Sequence, residues 1–112
     1  MKTNFFSLAF LLLINIIYSQ NIGDFRSIAS GDWNDSTKWQ TYNGTNWVAA
    51  TQYPGQTSGS YTVTIEEINA STPHIITIPT ASTYSIGNLV VKGELTLNAN
   101  LTLPTTSSLI ID

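Results

Sequence analysis

Short runs of alternating apolar and polar residues fill the chain from residue 61 onward. Each run is rich in Val, Ile, Leu and Thr and is bounded by Gly, Pro, Asn or Ser, as β-strands commonly are. After residue 20 no stretch keeps the apolar period of a helix over three turns. The pattern predicts an all-β fold, with strands at residues 61–65, 74–78, 86–91, 94–97, 100–103 and 108–111.

Two all-β architectures are compatible with these runs. Strands of a β-solenoid stack in parallel on the previous coil, whereas hairpin turns in a β-sandwich join antiparallel neighbours. Consecutive apolar residues, as in Leu89-Val90-Val91 and Leu109-Ile110-Ile111, indicate strands covered on more than one side. We therefore expect residues 61–112 to form coils of a β-solenoid resembling a right-handed β-helix, with a β-sandwich as the alternative. Because a strand pattern reaches Asp112 without a polar cap, we also expect the coils to continue in a longer protein.

Residues 20–60 differ in composition from the strands that follow. They carry all three tryptophans and most of the glycines, with little periodic pattern. Asn43-Gly44 favours a type I′ turn, which predicts a hairpin between residues 39–42 and 45–48. We expect this part of the chain to form an aromatic, turn-rich amino-terminal cap on the coils.

The first nineteen residues have the features of a cleavable signal peptide. Lys2 precedes an apolar stretch over residues 5–18, and the small residue Ser19 follows it. A helix over that stretch would rise about 21 Å, which is less than the roughly 30 Å of a bilayer core. We expect residues 1–19 to be the one helical part, cleavage to leave Gln20 as the new terminus, and the product to be secreted or held on the outer cell surface without a membrane span.

Charge limits the classes of binding partner, and cysteine content limits the source and the type of export signal. The chain has 4 Lys and Arg against 7 Asp and Glu, a formal net charge of −3, and no cysteine. Without a basic patch, nucleic acid is not an expected partner. The lack of disulfides in an exported chain favours a bacterial source over a eukaryotic one, and the lack of any Cys rules out a lipoprotein signal.

Several short motifs follow one another in a fixed order. They are a Ser-Gly-x-Trp motif with a second Trp at its end (residues 30–39), Gly-x-x-Trp-x-x-Ala (residues 44–50), a Pro-containing loop (residues 53–55), Val-Thr-Ile (residues 63–65) and Ile-x-Asn-Leu-x-Val-x-Gly-x-Leu-x-Leu (residues 86–97). This series resembles the amino-terminal segment of large secreted proteins from Bacteroidota-type bacteria, and it is also similar to the G-eight domain. The resemblance implies a β-solenoid segment of a secreted or cell-surface protein, often exported by the type IX route.

Aromatic residues of the predicted cap are the candidate ligand-binding residues. Exposed indole and phenol rings stack on the apolar faces of sugars, so a polysaccharide or cell-surface glycan is the expected partner of such a face. The residues are Trp33, Trp39, Tyr42, Trp47 and Tyr53. The alternative is that the rings fill the end of the β-stack, because a buried Trp contributes roughly 150–250 Å² to a small core.

The sequence indicates no catalytic centre, metal site or cofactor. His74 is the single histidine, and nothing marks a nucleophile or an acid to accompany it. Glu66 and Glu67 would point to opposite faces of a strand. Residues 32–36 present oxygen ligands as a calcium loop would, but Asp and Asn at turns more often bind the local backbone. We expect a non-catalytic structural or adhesive segment, and as alternatives a glycan-binding module or the leading end of a β-helical polysaccharide-degrading enzyme.

Overall fold

The computed structural model describes residues 20–112, which form short β-strands joined by turns and loops. The predicted signal peptide lies outside them. The elements are β1 (Phe25–Ser27), β2 (Gly31–Asp32), a 3-10 turn (Ser36–Lys38), β3 (Trp39–Tyr42), β4 (Trp47–Ala49), β5 (Thr62–Ile65), β6 (Glu67–Asn69), β7 (Thr72–Pro73), β8 (Ile75–Ile78), β9 (Ser82–Thr83), β10 (Asn88–Val91), β11 (Glu94–Leu97), β12 (Leu101–Thr102) and β13 (Ser108–Ile111). The predicted all-β class is confirmed.

The largest sheet has six strands in the order β13-β10-β5-β1-β3-β4. The first four of these pair in parallel, which requires the chain to cross over between them. Their register aligns Phe25, Val63, Leu89 and Leu109 across the four strands. Equivalent positions in successive passes of the chain therefore lie side by side.

Two smaller sheets repeat this parallel arrangement. In the sheet β11-β8-β2, Gly31, Ile76 and Leu95 lie in register, and in the pair β12-β9 the partners are Leu101 and Ser82. Since β1 and β2 pair with β5 and β8, residues 20–60 share their sheets with residues 61–112.

An inserted hairpin makes one pass of the chain longer than the next. β6 and β7 pair antiparallel between β5 and β8, with Glu67 opposite Pro73. The equivalent connection between β10 and β11 is only residues 92–93. This difference explains the irregular spacing of the apolar runs.

The core lies on one face of the central parallel strands. β5, β8 and β10 bury every second residue, and these side chains are joined by aromatic rings from other segments; the cluster comprises Trp33, Trp39, Val63, Ile65, Ile76, Ile78, Tyr84, Ile86, Leu89 and Val91. The expectation that consecutive apolar residues are covered on more than one side is wrong. Val90 lies on the face opposite to buried Leu89 and Val91 and is only partly buried.

At two corners of the fold, backbone segments from successive passes of the chain lie in close contact. A Cβ at Gly87 would collide with the carbonyl oxygen of Ser60, and one at Gly93 would collide with the carbonyl oxygens of Glu66 and His74. These two glycines let one pass of the chain lie directly on the previous pass.

The predicted hairpin is confirmed, but its turn differs from the prediction. Tyr42 pairs with Trp47, so four residues rather than two connect β3 and β4. Gly44 has φ of 102°, but Asn43 does not have the positive φ that a type I′ turn needs. Asn43 instead accepts hydrogen bonds through Oδ1 from the backbone N–H groups of Thr45 (2.9 Å) and Asn46 (2.7 Å). This local bonding stabilises the longer loop.

Candidate functional site

The five candidate aromatic residues divide into a buried group and a surface pair. Trp33 is 0% exposed and Trp39 is 1% exposed, so neither ring offers a face to a sugar. Both indole N–H groups are satisfied internally: Trp33 Nε1 donates to the Pro54 carbonyl at 2.7 Å and Trp39 Nε1 to the Trp33 carbonyl at 2.9 Å. The geometry of these two residues supports the core alternative.

A third ring extends the buried group. Tyr84 stacks on Trp33, with ring centroids 5.2 Å apart and an interplanar angle of 8°, while Trp39 meets Trp33 edge-on at 5.2 Å. Half-buried Tyr53 packs against Tyr84, with ring centroids 5.9 Å apart. Tyr84 was not among the candidates predicted from the sequence, although the alternation of Tyr84 and Ile86 is the signal that could have identified it. Burial raises the pKa of the Tyr84 phenol above its ordinary value.

Tyr42 and Trp47 form the surface pair. They are direct cross-strand partners on β3 and β4, with ring centroids 5.4 Å apart and planes inclined at 55°. Because side chains alternate along a strand, Tyr42 lies on the face opposite to buried Trp39, which is the outer face of the six-stranded sheet. Within residues 20–112 β4 ends that sheet, so no further strand lies beyond Trp47.

Two polar residues that sequence analysis missed complete this surface. The guanidinium of Arg26 lies over the Trp47 ring, 4.5 Å from its centroid, and Arg26 Nε donates to Gln40 Oε1 at 2.9 Å. We call Arg26, Gln40, Tyr42 and Trp47 the outer-face cluster. All four are partly accessible, and together they offer aromatic carbon, an amide and a cation on one side of the sheet.

His74 is bonded to a serine that is far away in sequence. Ser27 Oγ lies 2.8 Å from His74 Nδ1 and also accepts the N–H of Glu66 at 2.8 Å. Ser27 is only 2% exposed, so its hydroxyl cannot reach a substrate from solvent. The pair links the end of β1 to the segment before β8 and acts as a structural contact.

Of the acidic candidates, Asp35 bonds to the adjacent turn and Glu67 is exposed. Asp35 caps the 3-10 turn: its Oδ1 accepts from Thr37 N at 3.0 Å and Thr37 Oγ1 at 2.6 Å, and these bonds lower the pKa of the Asp35 carboxyl. Glu67 lies on exposed β6. Over residues 20–112 no three His, Cys, Asp or Glu side chains are grouped closely enough to hold a metal ion.

The chain matches no protein-family model, no curated protein and no solved structure. Among the described residues no helix is long and apolar enough to cross a bilayer.

Proposed function

We propose that the chain forms the amino-terminal coils of a β-solenoid in a secreted or cell-surface protein of the Bacteroidota type, with a structural or adhesive role. The observation that carries the proposal is the shared parallel register of β1, β5, β10 and β13. β-Sandwich neighbours joined by hairpins would be antiparallel instead. Repetition of the parallel pattern in β2-β8-β11 and β9-β12 gives further support, because a coil contributes one strand to each face.

The two ends of the parallel stack differ in how well their inner side chains are covered. At one end the antiparallel hairpin β3–β4 lies beside β1, and Trp33 and Trp39 fill the interior behind it. At the other end aliphatic side chains that continue the inner stacks are open to solvent: Leu97 is 56% exposed and Ile111 is 72% exposed. A solenoid coil needs a neighbour to bury that surface. We propose that the edge at β13 receives another β-coil.

Self-association of the chain tests this edge, because a second copy supplies the same kind of strand. Sedimentation of the unmodified chain should show concentration-dependent association. Ile111→Lys should reduce it, while Thr106→Lys, an equal charge change at an exposed turn residue, should not. A strictly monomeric chain at all concentrations, or equal effects of the two changes, would contradict the proposed edge.

A second candidate function is glycan binding by the outer-face cluster. It is favoured by the position of Tyr42 and Trp47, which form an accessible aromatic pair beside the amide of Gln40. Trp47→Ala should abolish binding to a responsive polysaccharide while the variant still folds. Trp33→Ala should instead destabilise the fold. Undiminished binding by Trp47→Ala would exclude this site.

A further inference from the structure

Arg26 holds its charged group in a fixed place on the outer face of the sheet. Nε is bonded to Gln40 Oε1, and the central guanidinium carbon lies over the Trp47 ring, 4.5 Å from its centroid. A guanidinium has five N–H donors. Within residues 20–112 the bond to Gln40 is the one hydrogen bond that this group makes. The terminal nitrogens are therefore left for water or a ligand.

The positions around Arg26 on this sheet are neutral. Its partners in register are Gln40 on β3 and Thr64 on β5, and Ala49 lies beyond Gln40 on β4. The nearest acid along β1 is Asp24, which is 8% exposed and accepts the backbone N–H groups of Asn21 and Thr62 at 2.8 and 2.9 Å. Its oxygens are thus already bonded to the backbone. The cluster consequently presents one positive group on a chain whose net charge is −3.

We infer that Arg26 binds the anionic group of an acidic polysaccharide whose sugar ring lies against Trp47 and Tyr42. Planar guanidinium recognises carboxylate and sulfate oxygens through paired N–H donors, and an adjacent aromatic surface suits the apolar face of a pyranose. The bond to Gln40 and the contact with Trp47 orient the guanidinium before the ligand arrives, which reduces the entropy lost on binding. This inference rests on the second candidate function, since it names the class of glycan for the same surface.

Two matched pairs of polymers separate the contribution of ligand charge from that of ring stacking. Polygalacturonate and its fully methyl-esterified form differ only in the carboxylate, and dextran sulfate and dextran differ only in the sulfate. Binding of residues 20–112 to each is measured by isothermal titration at low salt and at physiological salt. Arg26→Gln is compared with Lys92→Gln, which removes an equal charge from an exposed corner residue.

The inference predicts a preference of about tenfold or more for at least one anionic polymer over its neutral counterpart. Arg26→Gln should remove that preference, Arg26→Lys should keep part of it, and Lys92→Gln should leave it unchanged. A cooperative melting transition shows that each variant is folded. Equal losses in Arg26→Gln and Lys92→Gln would mean non-specific attraction and overturn the inference.

Two further outcomes distinguish the inference from the function on which it rests. Equal binding of charged and neutral polymers that is lost in Trp47→Ala would overturn the anionic specificity and leave glycan binding standing. No binding to any of the four polymers would overturn both.

Discussion

Truncation of Trp33 should show how much of the fold depends on the buried indoles. This residue is fully buried, stacks on Tyr84 and donates its indole N–H to the Pro54 carbonyl. Trp33→Ala removes all three interactions. Trp47→Ala is the matched control, because it deletes the same side chain from the outer face of the sheet.

The expected difference between the two variants is large. Replacement of a buried Trp by Ala costs about 3–5 kcal/mol, with the Pro54 carbonyl left without its partner. Loss of Trp47 removes its contact with Arg26, worth about 0.5–1 kcal/mol, and its pairing with Tyr42, worth about 0.5–1.5 kcal/mol. A domain of this size has a free energy of unfolding of only about 5–14 kcal/mol. Trp33→Ala should therefore remove about a fifth or more of the stability.

Urea denaturation followed by far-UV circular dichroism measures both variants without depending on tryptophan fluorescence. The midpoint should fall far more for Trp33→Ala than for Trp47→Ala. If Trp33→Ala does not fold, Trp33→Phe keeps an aromatic ring and loses the indole N–H, which should cost about 1–3 kcal/mol. Equal midpoints for the Trp33 and Trp47 variants would refute the assignment of Trp33 to the core.

Three other predictions concern the corners, the buried phenol and the hairpin. Gly93→Ala should lower the free energy of unfolding by about 1–3 kcal/mol in chemical denaturation, because its Cβ meets backbone carbonyls, whereas the neighbouring change Lys92→Ala should stay within about 0.5 kcal/mol. Because the pKa of Tyr84 is raised in the folded state, its contribution to stability is complete below pH 10.0 and is lost as the pH rises through the folded-state pKa. Melting curves over a pH series should therefore show a smaller loss of stability at alkaline pH for Tyr84→Phe than for the unmodified chain. Asn43→Ala removes two loop hydrogen bonds and should cost about 0.5–1.5 kcal/mol by urea midpoint, with no such loss for Thr45→Ala.

Strand positions in the second half of the chain could be predicted because apolar alternation is a local signal. β11 and β13 have the predicted bounds, and β5, β8 and β10 each begin within two residues of their own predicted start. β1 and β2 were not predicted, since residues such as Arg26 and Asp32 give no alternation. They are strands because β5 and β8 offer edges to pair with, which is a tertiary effect.

The candidate site was predicted only in part, for a related reason. Trp39 and Tyr42 are three residues apart in one strand, so they must face opposite sides of the sheet. This much could have been predicted from the sequence. Which side is buried depends on how β3 pairs with β1. Arg26 reaches Trp47 only through that pairing, so no local pattern could have joined them.

Parallel stacking of successive passes of the chain is the central claim, and disulfide trapping tests it most directly. The chain has no cysteine, so pairs can be introduced without interference. Thr64 and Val90 are partners in register on neighbouring parallel strands about 4.8 Å apart, within reach of a disulfide. Thr64→Cys with Val90→Cys should therefore cross-link on mild oxidation. Asn88→Cys with Leu97→Cys, which would be opposite each other if β10 and β11 formed an antiparallel hairpin, should stay reduced, and the reverse result would contradict the account.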